Sequence, residues 1–287
     1  TWRCLKGDKA KDFIFLGIFM GLGFLSKYLF IYLILSIKFL FIYLIINKKL
    51  KSYNFLLTAP VAFLIISPHL IWLVDNNFIT INYGLKRTGE IDSFINHFTF
   101  PIIFILKQVG ILLPFLFMSY FLLKKLKFKK IKLDDKMIFL LFVSFLPIFL
   151  IFLTSFFMGA KIRTMWMTPF YMFTGVIFIK IFKEFIYLKE LKKFFVVFLF
   201  LFFVSPITYA LVSLTNDFKR TDYPGREIAR LVQNRWDDNF KNEIKLVIGD
   251  EWFAGNLSYH LNSRPKWIIE LKNNSEILRD NEGVIYT

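Results

Sequence analysis

Long apolar stretches alternate with short polar segments over residues 1–214, and this pattern predicts a polytopic α-helical membrane protein. A spanning helix needs about 20 apolar residues, or fewer if it is short or broken. Ser26-Lys27-Tyr28 interrupts one apolar run, 13–46, that is too long for a single span, so we place a turn at Lys27. The pattern then predicts about seven spans: 13–25, 28–46, 55–74, 108–123, 137–157, 166–182 and 194–214.

Positive charge is distributed unevenly between the connecting loops. The loops that we assign to the inside, 1–12, 47–54, 124–136 and 183–193, carry 18 lysines and arginines. The outside turns carry five: Lys27, Lys86, Arg87, Lys161 and Arg163. Because cytoplasmic loops are enriched in Lys and Arg, this bias predicts a cytoplasmic N-terminus and an extracytoplasmic C-terminal region.

The outside segment 75–107 begins with polar residues and becomes apolar only near its end. Pro101, with His97 and Lys107 on either side, disfavours a membrane span at this point. We therefore predict an interfacial helix over 94–106, followed by a span that begins near Gln108. The alternative is one long tilted helix over 98–123.

Residues 215–287 have a different character, and we predict a small soluble α/β domain there, after a transmembrane domain over 1–214. "EIARLVQNRW" has apolar residues at helical spacing, and "IKLVIGD" is typical of a buried strand that ends at a glycine turn. "WFAGNLSYHLN" predicts a second helix and "PKWIIEL" a second strand.

Composition agrees with a membrane protein, since 56% of the 287 residues are hydrophobic and the mean hydropathy is +0.53. The net charge of +16 raises the question of nucleic-acid binding. Residues 1–214 carry +17 and residues 215–287 carry −1, so the positive charge lies between the apolar segments. This distribution argues against a nucleic-acid partner. The only cysteine, Cys4, excludes an intramolecular disulfide.

No acidic residue falls inside an apolar segment, which disfavours a proton-coupled transporter. The three histidines and one cysteine are scattered, so the sequence predicts no metal site and identifies no cofactor. The glycines of "GLGFL" lie in an apolar run, where they favour close helix packing.

Polar and aromatic groups gather on the predicted outside face. Cations neutralise a phosphate, and aromatic rings stack on a sugar, so this set suits a lipid phosphate with an attached sugar. A structural alternative exists for each residue, such as a membrane anchor for Lys27, a hydrogen-bonding group for His69 and a helix cap for Asp75. The set comprises Lys27, His69, Trp72, Asp75, Tyr83, Lys86, Arg87, Glu90, Lys161, Arg163 and Trp166.

Several of these segments resemble bacterial dolichyl-phosphate-mannose–protein mannosyltransferase-like enzymes. They are "GLGFLSKYLFIYLIL", "SPHLIWLVDNNFITINYGLKR", "KQVGILLPFLFMSY", "GAKIRTMWMTPFY" and the C-terminal "GREIARLVQNRW…VIGDEWFAGNLSYHLNSRPKW". The resemblance covers most of the chain in the same order. It departs from the family at Leu73, where members often have Asn.

The resemblance implies a GT-C fold and an inverting transfer of sugar from a polyprenyl-phosphate carrier to an acceptor at the extracytoplasmic face of the inner membrane. It implies that Lys27 and Arg87, together with Lys107, contact the lipid phosphate. His69, Trp72, Tyr83, Arg163 and Trp166 would shape the sugar and acceptor cavity. The family's catalytic aspartate lies in an earlier outer loop, and no residue here matches it. Because the chain begins with Thr1, we expect an N-terminally incomplete protein that is inactive by itself.

Two other functions fit the sequence less well. One is a transporter or flippase for a lipid-linked sugar, and the other is a non-catalytic membrane scaffold. The expected partners of the enzyme are the lipid bilayer, the polyprenyl-phosphate sugar donor, and a glycan, lipid or protein acceptor.

Overall fold

A computed structural model describes residues 1–50, 52–88, 93–123, 131–215, 219–269 and 282–287. Most of this part of the chain is helical. The α-helices are α1 Trp2–Gly7, α2 Ala10–Ser26, α3 Ile31–Ile46, α4 Thr58–Asp75, α5 Ile79–Lys86, α6 Asn96–Tyr120, α7 Asp135–Met158, α8 Thr174–Phe182, α9 Leu191–Thr215, α10 Gly225–Asn239 and α11 Phe253–His260. The strands are β1 Ile244–Ile248, β2 Lys266–Ile268 and β3 Gly283–Tyr286. The contacts divide the chain into two compact units, Thr1–Phe202 and Phe203–Thr287.

Five helical segments in the described part are long and apolar enough to cross a membrane. They are Tyr28–Ile46, Asn54–Asp75, Asn96–Tyr120, Asp135–Met158 and Leu188–Thr215. Thr164–Tyr171 and Thr174–Phe182 form a bent pair, at an angle of 55°, that makes a sixth if the pair is one span. The chain is thus a multi-pass membrane protein by length and composition. The predicted count of seven is not confirmed, because α2 has only 17 residues.

The interfacial helix predicted over 94–106, with a span beginning at Gln108, is wrong. Asn96–Tyr120 is one helix, close to the alternative of a single long helix. Pro101 is buried within it, and His97 Nδ1 lies 2.9 Å from the carbonyl oxygen of Phe156 in α7. These tertiary contacts hold the first turns of α6 in place despite the proline, which removes one backbone hydrogen bond. Lys107 consequently lies near the middle of a membrane-length helix.

Helices α2 and α4 run parallel and approach closely at two glycines. A Cβ atom at Gly17 would come within 2.6 Å of the Thr58 carbonyl oxygen, and one at Gly21 within 2.8 Å of Ile65 Cβ. Small residues four positions apart let two helix backbones meet in this way. Gly21 belongs to the segment whose glycines were predicted to permit close packing, and the contact confirms that prediction. Gly23, in the same segment, accommodates the ring of Phe30.

The loops predicted to lie inside meet at one end of the first unit, which we call the Asp134 end. Four contacts join them: Ser52 Oγ to Asp8 Oδ1 (2.6 Å), Lys49 Nζ to Asp135 Oδ1 (2.5 Å), Lys180 Nζ to Asp134 Oδ2 (2.7 Å) and Tyr187 N to Leu122 O (2.9 Å). Asp134 also caps α7 by accepting from Met137 N, and the Lys180 hydrogen bond lowers the pKa of its carboxyl group. The loops therefore share one end of the first unit, as the charge bias requires. Their location on the cytoplasmic side of the membrane stays a prediction.

The second unit contains a parallel three-stranded sheet in the order β2-β1-β3. The central strand β1 is buried, and Ala229 of α10 and Leu257 of α11 pack against the sheet in one apolar cluster. Both predicted helices and both predicted strands are present, and β3 is an element that the sequence analysis missed. The solubility and extracytoplasmic location of this region stay predictions.

We predict that Gly17→Ala destabilises the protein by about 1–3 kcal/mol, because the new methyl group meets the backbone of α4 rather than a flexible side chain. Thermal unfolding of the purified protein in detergent measures the change. Gly175→Ala in α8 is the control, since no atom lies within 4 Å of a Cβ built there. Equal melting temperatures for the two variants would contradict the close packing of α2 against α4.

Candidate functional site

The candidate site begins at the corner between α2 and α3. Helix α2 ends at Ser26, and Lys27 adopts an extended backbone conformation (φ −162°, ψ 123°) before a short 3-10 turn at Tyr28–Phe30. This confirms the turn predicted at Lys27. The Lys27 side chain is exposed at the corner, and no described residue pairs with its ammonium group.

Tyr28 connects this corner to two other elements through its hydroxyl group. The hydroxyl oxygen lies 2.6 Å from His69 Nε2 in α4 and 2.6 Å from Thr80 Oγ1 in α5. When the Tyr28 hydroxyl donates a hydrogen bond to His69 Nε2, the Thr80 hydroxyl donates one to the Tyr28 oxygen. One chain of hydrogen bonds then links three helical segments. The His69 ring also stacks on Trp72, with centroids 5.6 Å apart. Lys27, His69 and Trp72, all predicted site residues, therefore lie around one corner.

Helix α5 carries two further predicted residues, Tyr83 and Arg87. The guanidinium carbon of Arg87 lies 4.9 Å from the centroid of the Tyr83 ring, which is a cation–π distance. Because Thr80 attaches the start of α5 to Tyr28, the same helix carries Tyr83 and leads directly into Arg87. The structure thus links the Lys27 corner to the predicted outer-loop cation.

A backbone hydrogen bond joins this outer loop to the turn between α7 and α8. Lys161 N donates to Thr88 O at 3.0 Å, so Arg87 and Arg163 are each within two residues of the same bond. Gly159 turns the chain at the end of α7 with φ +58°, and a Cβ there would come within 3.1 Å of the His97 ring. We call this part of the first unit, which contains the Lys27 corner and the 159–163 turn, the Lys27 end.

Trp166 is half-buried and packs against a buried apolar cluster. The cluster comprises Phe104, Ile151, Met167 and Phe170, and Leu29, Tyr32 and Leu33 of the Lys27 corner also pack on it. Tyr32 donates to Thr154 Oγ1 at 2.9 Å. Trp166 therefore supports the base of the site through packing.

An open groove of 610 Å³ runs along α6 beside the 3-10 segment Thr164–Tyr171. Its described lining consists of Ile103, Leu106, Lys107, Gly110, Ile111 and Thr164. The walls are apolar apart from the Lys107 ammonium group and the Thr164 hydroxyl. No described residue pairs with Lys107, while Lys27, Arg87 and Arg163 are not among the described residues that line the groove.

The groove that Lys107 lines begins near the Lys27 end. Lys107 lies eleven residues after Asn96, about 16 Å along the helix at 1.5 Å per residue. Side chains on an α-helix lean toward its N-terminus, and the N-terminus of α6 is held at the Lys27 end by His97. Thr164 belongs to that end as well, so the groove extends from there along α6.

A buried polar pair lies on the adjacent face of α6. Tyr171 donates to Gln108 Oε1 at 2.6 Å, and Gln108 Nε2 is buried without a partner in the described part of the chain. The sequence analysis did not single out Tyr28, Thr80 or this pair. For Tyr28 the available signal was its position directly after Lys27, at the break in the apolar run.

Residues 1–72 match the family model described as dolichyl-phosphate-mannose-protein mannosyltransferase. The segment of this chain that matches the mannosyltransferase family runs from α1 nearly to the end of α4. It therefore includes Lys27, Tyr28, His69 and Trp72. The match confirms the resemblance for this segment, and the family indicates a membrane glycosyltransferase that uses a lipid-linked sugar. No curated protein and no solved structure is significantly similar to the chain. For the groove and for the second unit, both beyond residue 72, the resemblance to the mannosyltransferases stays a prediction.

We predict that Tyr28→Phe releases α5 from the Lys27 corner, because the hydrogen bonds to both His69 and Thr80 are lost. An unpaired polar group costs about 1–3 kcal/mol when it is fully buried. The cost is smaller for His69 and Thr80, which are half-buried. Hydrogen–deuterium exchange of residues 79–86 measures the release and is expected to be faster in the variant. Tyr53→Phe is the control, since Tyr53 is 82% exposed. Unchanged exchange in α5 would show that the Tyr28 hydroxyl does not hold it.

Proposed function

We propose that the protein transfers a sugar from a polyprenyl-phosphate carrier to an extracytoplasmic acceptor, with inversion at the anomeric carbon. The observation that carries this proposal is the apolar groove with Lys107 on its wall, a cation that pairs with no described residue. A polyprenyl phosphate has the matching chemistry, namely a long hydrocarbon chain and one anionic headgroup. The family match of residues 1–72 supports a lipid-linked donor independently of the groove.

The position of Lys107 within the groove favours binding of the lipid-phosphate donor there. A lysine in the middle of a membrane-length helix is costly to bury in lipid unless it pairs with another group or reaches water. A phosphate drawn into the groove would pair with Lys107, and its prenyl chain would cover Ile103, Leu106 and Ile111. The Thr164 hydroxyl is a hydrogen-bond donor for a phosphate oxygen.

The other predicted residues have roles at the headgroup. As the bond between the sugar and the carrier breaks, negative charge grows on the departing lipid phosphate, and positioned cations stabilise that charge. We assign this role to Lys107 inside the groove, and to Lys27 and Arg87, which do not line the groove, at the Lys27 end from which it extends. His69, Trp72, Tyr83, Arg163 and Trp166 would form the sugar and acceptor cavity, with Tyr28 holding the Lys27 corner and α5 together. We assign no catalytic base among the residues of this chain.

The direct test is binding of undecaprenyl phosphate to the purified protein in nanodiscs. Lys107→Met is expected to weaken binding about 10- to 100-fold, since a charge-assisted hydrogen bond contributes about 1.5–3 kcal/mol. The variant retains a long apolar side chain, so the walls of the groove are preserved.

Two controls make the result specific. Lys38→Met removes another exposed lysine from the middle of an apolar helix, α3, and should leave binding unchanged. Undecaprenol, which has the same chain without the phosphate, should bind wild type and Lys107→Met alike. If Lys107→Met binds undecaprenyl phosphate as well as wild type does, Lys107 is not a phosphate ligand and the groove is not the donor site.

A further inference from the structure

The strand order of the second unit creates a position at which open α/β sheets bind ligands. From the central strand β1 the chain passes through α11 to β2 on one side, while β3 lies on the other side. Ligands of such sheets bind outside the carboxyl ends of the strands, where the connections diverge. We call this position, formed by residues 249–253 and Thr287, the carboxyl edge.

The backbone at the carboxyl edge is firmly held. Gly249 has φ +149°, and a Cβ atom there would come within 2.1 Å of Thr287 Oγ1, so only glycine fits between the two strand ends. Gly249 N donates to Ile268 O at 3.1 Å, and Thr287 N donates to Ile248 O at 2.9 Å. These bonds connect the ends of all three strands.

Asp250 fixes the orientation of the aromatic residues that follow it. Its Oδ1 atom accepts hydrogen bonds from Trp252 N at 2.6 Å and Phe253 N at 3.0 Å. Its second oxygen, Oδ2, has no partner among the described residues, and the side chain is exposed. The carboxylate therefore organises the loop with one oxygen and leaves the other available as an acceptor.

The two aromatic residues that follow Asp250 and Glu251 both contact the ring of Tyr223. Tyr223 lies 5.8 Å from Trp252 and 5.8 Å from Phe253, both with edge-to-face geometry. Phe253 is 52% exposed. An exposed aromatic ring and an exposed carboxylate on the same short loop match the two sides of a pyranose, which presents C–H groups on its face and hydroxyls at its edge.

Charge at the carboxyl edge selects against anionic ligands. Asp250 and Glu251 are both acidic, whereas the basic residues Arg264 and Lys266 lie at the opposite, amino end of β2. The exposed Asp250 carboxylate disfavours a phosphate or an anionic lipid surface there, whereas it can accept a hydroxyl of a neutral sugar. The ligand of this edge is thus chemically distinct from the lipid phosphate proposed for Lys107.

We propose that the carboxyl edge binds a neutral pyranose of the acceptor glycan, with Trp252 and Phe253 stacking on the sugar ring and Asp250 accepting its hydroxyls. Its role as an acceptor site depends on the proposed glycosyltransferase function, whereas binding of the sugar itself does not. The edge would hold the acceptor chain and raise its local concentration for transfer.

Binding of maltotriose and mannotriose to the whole protein tests the proposal. Saturation-transfer NMR is suitable, in a detergent without a sugar headgroup so that the micelle does not compete. At least one trisaccharide is expected to bind, and Phe253→Ala should weaken it about tenfold. Asp250→Asn should weaken it as well while retaining the hydrogen bonds from Trp252 N and Phe253 N, since the asparagine side-chain oxygen is also an acceptor.

Phe240→Ala is the matched control, because Phe240 is also 52% exposed but lies at the end of α10 next to Trp236. It should bind the trisaccharide like wild type. The proposal is overturned if neither trisaccharide binds, or if the Phe253 and Phe240 variants bind equally well. A second measurement is the quenching of tryptophan fluorescence by brominated lipid. If Phe253→Ala changes this quenching but not trisaccharide binding, the rings of Trp252 and Phe253 contact the bilayer and the proposal is overturned. Because undecaprenyl phosphate binding is measured separately, failure here leaves the donor-site proposal intact.

Discussion

The close, parallel packing of α2 against α4 determines where the polar groups of the first unit meet. Gly17 contacts Thr58 and Val61, and Gly21 contacts Ala62 and Ile65, so the two helices keep a nearly constant offset along their length. Tyr28 lies two residues beyond the end of α2, and its hydroxyl oxygen is 2.6 Å from His69 Nε2 in α4. The corner at Lys27 is therefore positioned by the close approach at Gly17 and Gly21, about 15 and 9 Å away along α2. From this corner Tyr28 reaches Thr80, and through α5 the chain reaches Arg87 and the bond between Thr88 and Lys161.

The distribution of polar contacts in the first unit follows from the low polarity of the membrane. Within the apolar helices, the hydroxyls of Ser36 and Thr154 bond to carbonyl groups of their own helices, which satisfies them locally. Contacts between charged residues gather at the Asp134 end, where they join neighbouring loops. At the Lys27 end, by contrast, the exposed ammonium group of Lys27 has no described partner. The ammonium group of Lys107, in the groove, has no described partner either. An anionic lipid would supply a partner for Lys107, the cation among the described residues that line the groove.

Sequence patterns predicted the elements better than the contacts between them. Period and length sufficed for most of the helices and for the alternation of α10, β1, α11 and β2. The strand β3 was missed because four residues after a polar stretch give too little periodicity. Helix α6 was misjudged because Pro101 and Lys107 oppose a span locally, whereas the burial of Pro101 and the bond from His97 to Phe156 are tertiary. The Tyr28 hydrogen bonds and the groove depend on helix register, which no single segment of sequence specifies.

The central claim is that a polyprenyl phosphate occupies the groove along α6. Photocrosslinking with a diazirine-labelled polyprenyl phosphate, followed by peptide mass spectrometry, tests it most directly. The account predicts labels on α6 around Ile103, Gly110 and Ile111, and unlabelled undecaprenyl phosphate should suppress them while undecaprenol does not. Labels spread over lipid-exposed helices such as α9, or labels on α6 that undecaprenol suppresses equally, would contradict it.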